Sequence, residues 1–200
     1  MFISKSEFPN HNIPKIIKGI VVPRPIAWVS SVDAEGHVNL APFSFFTVVS
    51  IKPLMIGIVI GKHPDRPKDT LTNIKATGEF VVNIATAALA HEMHTSGDVF
   101  PEDVNEFEIT GLTETPATHV KVPMIKESPI SMECTLHEVY EIGSHNLVAG
   151  EVIAFHIDDK VYKEGDYIDA SELDTIARMA GDYAHVRDFF FPVKGELTAT

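Results

Sequence analysis

Apolar positions along the chain come in short, β-branched runs closed off by turn residues, which predicts strands rather than long helices. IAWVSSV (26–32) leads through the hairpin loop DAEG (33–36) into HVNLA (37–41). FSFFTVVS (43–50) ends at Lys52-Pro53, LMIGIVI (54–60) is almost wholly apolar, and EFVVNI (79–84) follows. ISMECTLHEV (130–139) alternates, with Ile130, Met132, Cys134 and Leu136 on one face and Ser131, Glu133, Thr135 and His137 on the other. LVAGEVIAFHI (147–157) pairs with it across the turn Gly143-Ser144-His145-Asn146. One stretch departs from a plain buried strand. In HVNLAPFSFFTVVS (37–50) three phenylalanines crowd into four positions, yet Asn39, Ser44, Thr47 and Ser50 interrupt them. Pro42, which has no N–H to donate, predicts a strand interruption there.

Helical signals are fewer. Asp69 is placed to cap TLTNIKAT, with Gly78 just past its end. Ala85 to His94 reads as a second helix and Glu102 to Glu108 as a short third. Asp169 or Ser171 caps SELDTIARMA, which stops at Gly181. These helices do not alternate with the strands as parallel crossovers require, so the expected fold class is mostly β, an antiparallel barrel with peripheral helices. Without repeats, low-complexity tracts or Gly/Ser linkers, residues 1–200 read as a single domain.

Composition narrows the function classes. A hydrophobic share of 44% and a charged share of 22% are those of a globular protein. The formal net charge of −12 argues against a nucleic-acid partner and against adhesion to an anionic membrane. No apolar segment is long enough to span a bilayer, and MFISKSEFPNHNIPK lacks the basic start and apolar core of a secretory signal. The single cysteine, Cys134, rules out an internal disulfide and a Cys-rich zinc site, so a reduced, cytoplasmic setting is expected.

Two stretches carry candidate chemistry. The loop GKHPDRPKDTLTNI (61–74) sets Lys62, His63, Arg66 and Lys68 just ahead of the helix that begins near Asp69 and Thr70. The free N–H groups of a helix start, with cations and a hydroxyl beside them, suit a phosphate. A solvated basic loop with an ordinary cap has the same residues, and the sequence leaves both readings open. In IAWVSS, the sole tryptophan, Trp28, shares a strand face with Ser30, so it either covers a planar ring ligand or fills the core. Other chemistries find no support. His91 and His94 in HEMH stand three apart, not four as in HExxH, and there is no third ligand. GxSxG, GxGxxG and Walker motifs are absent. Cys134, on the apolar face of its strand, is expected to be inert core.

RPIAWVSSVDAEGHVNLAPFSFFTVVSIKPLMIGIVI followed by KDTLTNIKATGEFVVNI resembles the flavin reductase-like, FMN-binding split-barrel family, with the flavoredoxin-type proteins as the branch most like it. The resemblance continues through SPISMEC, SHNLVAGEV and ARMAGDY, covering about residues 20–185. It implies a six-stranded antiparallel Greek-key barrel with helical additions, a homodimer, and FMN near the subunit interface. By the same resemblance Trp28, Ser30 and Ser31 line the flavin ring, and Asn39, Ala41, Pro42, Phe43 and Ser44 run along it. Lys68, Asp69 and Thr70, with Arg66 and Lys62, match the phosphate region, His145 matches the nicotinamide side, and Gly181-Asp182-Tyr183 closes over the site. The departures are Ser31, where many relatives have threonine, and the C-terminal MAGDYAHVRD.

The activity implied is that of an FMN-dependent reductase, in which NADH or NADPH reduces flavin and electrons pass on to an acceptor. Such chemistry belongs to the cofactor and needs no catalytic triad. The alternative is a flavoredoxin-like electron-transfer protein without direct NAD(P)H use. A third reading, from another class, is a ligand-binding or structural barrel that has lost its flavin.

Overall fold

A computed structural model describes residues 1–62, 66–101 and 104–187. Its strands are β1 (Ala27–Val32), β2 (Val38–Phe43), β3 (Phe46–Ile51), β4 (Leu54–Gly61), β5 (Glu79–Ile84), β6 (Glu114–Thr115), β7 (Met124–Ile125), β8 (Ile130–Ile142), β9 (His145–Ile157), β10 (Tyr162–Lys163), β11 (Tyr167–Ile168), β12 (Ile176–Arg178) and β13 (Tyr183–His185). The α-helices are α1 (Ile13–Ile20), α2 (Asp69–Thr77), α3 (Ala90–Thr95), α4 (Glu106–Thr110) and α5 (Ala170–Leu173). Seven strands form one antiparallel sheet in the order β2-β1-β5-β8-β9-β4-β3, where the resemblance implied six. β2 and β3 stand at opposite ends of that order, yet only Ser44 and Phe45 separate them in the chain. The sheet must therefore curl until its two ends meet at this bend, and Phe45 O accepts a hydrogen bond from Val59 N at 2.8 Å there. The expected antiparallel split barrel with peripheral helices is the fold the chain adopts.

Strand alternation assigns the cores. Ala27 and Val29 point inward with Phe43, Ile58, Phe80, Cys134 and Val148, while α2 adds Leu71 and Ile74. Ile26, Trp28 and Leu40 point outward, where Met93 of α3, Phe107 of α4 and Ile176 of β12 cover them. The predicted face of β8 holds: Cys134 is in the barrel core, with Met132 and Leu136 packed against it. Gly150 on β9 has a packing reason, since a Cβ there would come within 2.3 Å of the Phe80 ring.

Several boundaries differ from the expectation. Pro42 does not interrupt its strand; it pairs with Trp28 inside β2, and the break falls at Ser44-Phe45. Pro42 faces the open edge of the sheet, where a missing N–H leaves no ladder bond unmade. Of the expected helix 85–94, residues 87–89 form a 3-10 turn and only α3 is α-helical. The expected helix 102–108 is seen as α4, which Asn105 caps by accepting the Phe107 N–H at 2.9 Å; residues 102 and 103 lie outside the described set. SELDTIARMA is not one helix. Asp169 caps α5, but Asp174 turns left-handed at φ 44° and the chain leaves as β12. α1, capped by Asn12 with Pro14 in its first turn, had no counterpart in the reading of the sequence.

Candidate functional site

The expected phosphate region forms a cleft. Asn39, Ala41 and Pro42 of β2 line one side, and Arg66, Pro67, Lys68, Asp69 and Thr70 line another. The segment Ser96–Phe100 and Glu106 complete it. Local sequence explains each side. Pro67 holds Arg66, the residue before it, out of the helical region, and α2 begins directly after Lys68. The Lys68 carbonyl accepts Leu71 N at 2.9 Å and Thr72 N at 3.1 Å, but no side chain caps the helix. The first N–H groups of α2 are thus left for solvent or a ligand. Asn39 donates through Nδ2 to Thr70 Oγ1 at 2.9 Å, which ties β2 to the helix start. Gly97 lets its segment lie against β2, since a Cβ there would sit 3.1 Å from Pro42 Cγ.

Charge in the cleft is mixed. Arg66 pairs with Asp69. The Lys68 ammonium, on an exposed residue, hangs 5.9 Å from the centre of the Phe43 ring, so this core phenylalanine supports the cation from below. Glu106, 7% exposed, accepts the Leu40 N–H through Oε2 at 2.9 Å. Burial raises its pKa, the Leu40 bond opposes that rise, and nearby Asp69 adds to it.

Other expected site residues lie elsewhere. Trp28 is fully buried and donates Nε1–H to Ser96 Oγ at 2.8 Å, so of its two readings the core one describes its side chain. Ser30 donates to Pro123 O at 2.6 Å, and Ser31 accepts from Asn73 Nδ2 at 3.3 Å. Both hydroxyls are buried and turned to protein partners. Lys62 sits beside the β8–β9 turn, its Nζ 3.5 Å from Glu141 Oε2 and its N–H on Ser144 O. His63 lies outside the described residues. His145 opens β9 opposite Gly61 rather than sitting in the turn, and its ring stacks on Phe45 with centroids 6.1 Å apart. Gly181 and Asp182 form the turn of the β12–β13 hairpin, whose Tyr183 lies under Arg178 and edge-on to His94. No three His, Cys, Asp or Glu side chains among the described residues are placed to hold a metal.

Two residues escaped the reading of the sequence. Glu106 lies on a helix of five residues, too short to show a periodic face. Arg24 is 5% exposed and joins four segments. Its guanidinium donates to Lys18 O at 2.6 Å, Val21 O at 2.9 Å, Met179 O at 3.0 Å and Ser44 Oγ at 3.4 Å, and it lies over the Phe45 ring. Burial lowers its pKa, and the nearby Arg178 charge lowers it further.

The chain and its architecture have counterparts among known proteins. An uncharacterized protein of Aquifex aeolicus (strain VF5) is 38% identical over 170 residues, covering 84% of this chain and 87% of the relative. Nitrilotriacetate monooxygenase component B from Bacillus cereus superposes with a TM-score of 0.91 at 31% identity, covering 96% of this chain and 98% of that one. Flavoredoxin of Desulfovibrio vulgaris (Miyazaki F) shares the fold, with a TM-score of 0.78 at 21% identity, covering 88% of this chain and 93% of that one. The model of the flavin reductase like domain matches residues 20–174, and the chain belongs to that family.

Proposed function

We propose that this protein is an FMN-dependent NAD(P)H oxidoreductase of the flavin reductase type, which hands electrons to a small-molecule or protein acceptor. The observation that carries this reading is the cleft, where Asn39, Ala41, Pro42, Arg66, Lys68, Asp69 and Thr70 meet at an uncapped helix start. These residues fit a phosphate ester: N–H groups, the Thr70 hydroxyl and the Lys68 ammonium are all donors. FMN, when bound, supplies the hydride and electron chemistry. The chain's own tasks are to hold and orient. Lys68, Thr70 and the start of α2 anchor the phosphate, and the β2 backbone from Ala41 to Phe43 lies alongside the rest of the ligand. Ser44, fixed by Arg24, shapes the bend beyond it. His145, stacked on Phe45, is assigned to the nicotinamide side.

The same reading has the protein work as a homodimer. β3 is an end strand of the sheet, and Val48, Val49 and Ile51 on it are exposed, Ile51 to 70%. Ile17, Ile20 and Val21 are exposed likewise. No helix among the described residues is long and apolar enough to cross a membrane.

The visible spectrum of the purified protein, before and after NADH or NADPH, tests the proposal. A flavin spectrum that bleaches with either nucleotide is the expected result. Bound FMN that neither nucleotide bleaches selects the electron carrier instead. A colourless protein whose melting temperature FMN does not raise overturns the flavin reading. Replacing Lys68 and Thr70 with alanine should weaken FMN binding by about 10–100-fold, from the loss of two donors to a charged group.

A further inference from the structure

Glu106 is the unusual member of the cleft. A site whose helix start, Lys68 and Arg66 favour anions also holds a carboxylate that is more than nine-tenths buried. Oε2 is engaged by the Leu40 N–H, and the carboxylate also has its own backbone N–H, but no side chain among the described residues donates to it. Among the described residues, the charged groups that line the cleft with it are Asp69 from α2, Arg66 and Lys68 from the segment before α2, and Asp98 from the segment after α3. On its own helix, Glu108 is exposed. Arg66 is already paired with Asp69, so the cations do not simply cancel the Glu106 charge. An anionic ligand and an ionised, partly satisfied carboxylate in one cleft repel each other. A proton between them removes the conflict and turns repulsion into a hydrogen bond.

We propose that Glu106 selects the ligand of this cleft by sharing a proton with it. The site takes a phosphate monoester together with one proton held against the Glu106 carboxylate, and it discriminates against oxyanions that bring no such proton. The proposal rests on the phosphate reading of the cleft, and it specifies which anion that cleft prefers. A phosphate monoester has a second pKa of about 6 and so carries or shares a proton near neutral pH, whereas sulfate does not. The proton comes from solvent on binding and returns on release, so nothing is oxidised or reduced. The raised pKa of Glu106, which burial and Asp69 produce, acts in the same direction.

The test is calorimetric titration of the full chain with inorganic phosphate, with sulfate and with FMN at several pH values above about pH 6. Phosphate should outcompete sulfate by about tenfold or more, the worth of one charge-assisted hydrogen bond. FMN affinity should fall as pH rises, by up to about tenfold per unit, since one proton enters with the ligand. Glu106→Gln keeps an acceptor for Leu40 N–H and should bring phosphate and sulfate to within about threefold while flattening the pH slope. An unchanged preference and slope in E106Q overturns the proposal. Equal affinity of the wild-type protein for the two anions, or no binding of either, overturns it without recourse to a variant. Phosphate selectivity without FMN binding removes the flavin reading and leaves this inference standing.

Discussion

Glu106 in the cleft and Glu133 on the far face of β8 are both buried carboxylates, and their environments push them in opposite directions. Glu133 has no exposed surface. Burial alone would raise its pKa, but the His156 ring at 2.5 Å and the N–H groups of Thr118, His119 and Val120 hold the value down at about 2. Glu106 has two amide donors, the N–H of Leu40 and its own, with no side-chain partner and an acidic neighbour, so burial prevails and its pKa rises. Depth is therefore not what separates the two sites; the number of donors supplied by the chain is. Four donors make Glu133 a clasp for the loop between β6 and β7. Two amides and no side-chain partner leave Glu106 with acceptor capacity for something else.

The most severe way to probe this contrast is Glu133→Gln, which sets an NH₂ group among donors that need an acceptor. It should cost about 3–5 kcal/mol at neutral pH, read from urea unfolding; a cost near zero would end the comparison. The pH profile sharpens it further. The pKa of Glu133 is depressed from 4.5 unfolded to about 2 folded, so its contribution is complete above the higher value and drains as pH falls toward the lower. Wild-type unfolding midpoints should decline across that window, and the E133Q protein should lack that component. His156→Ala, which removes one donor of four, should cost less, about 1–2 kcal/mol in the same assay. The smallest effect has the opposite sign. Glu106 has a raised pKa, so its favourable contribution is present below the unfolded pKa and is lost as pH rises through the folded one. E106Q should therefore melt slightly higher than wild type at about pH 8, by less than about 1 kcal/mol, and show no such gain in acid. A clear loss at the higher pH would put both glutamates in one class.

The strands were largely legible because alternation is a local property. Ile130, Met132, Cys134 and Leu136 announce a face, and Gly78, at φ 73°, announces the end of α2. The cations gathered before Asp69 were equally plain, although composition could not distinguish a cleft from a solvated loop. What stayed hidden depends on distant segments. Trp28 could not be assigned to ligand or core until Ser96, 68 positions away, was seen to accept its N–H. Ser30 and Ser31 look like ligand donors in a strand, yet Pro123 and Asn73 engage them first. Lys62 reads as part of the basic loop, but β4 carries it to Glu141. The break at Ser44-Phe45 follows from barrel closure, which no window of neighbouring residues encodes.

Arg24 ties the Ser44 corner of the barrel to a distant segment of the chain. One of its four acceptors, Met179 O, lies 155 positions along the chain, on the hairpin arm that follows β12. During synthesis, β1 and β2 leave the ribosome long before that acceptor exists. Until it arrives, this buried cation lacks one of its acceptors, and the Ser44 bend lacks a settled support. The Ser44 corner of the barrel therefore has its full support only once a segment 155 positions further along the chain has docked against Arg24.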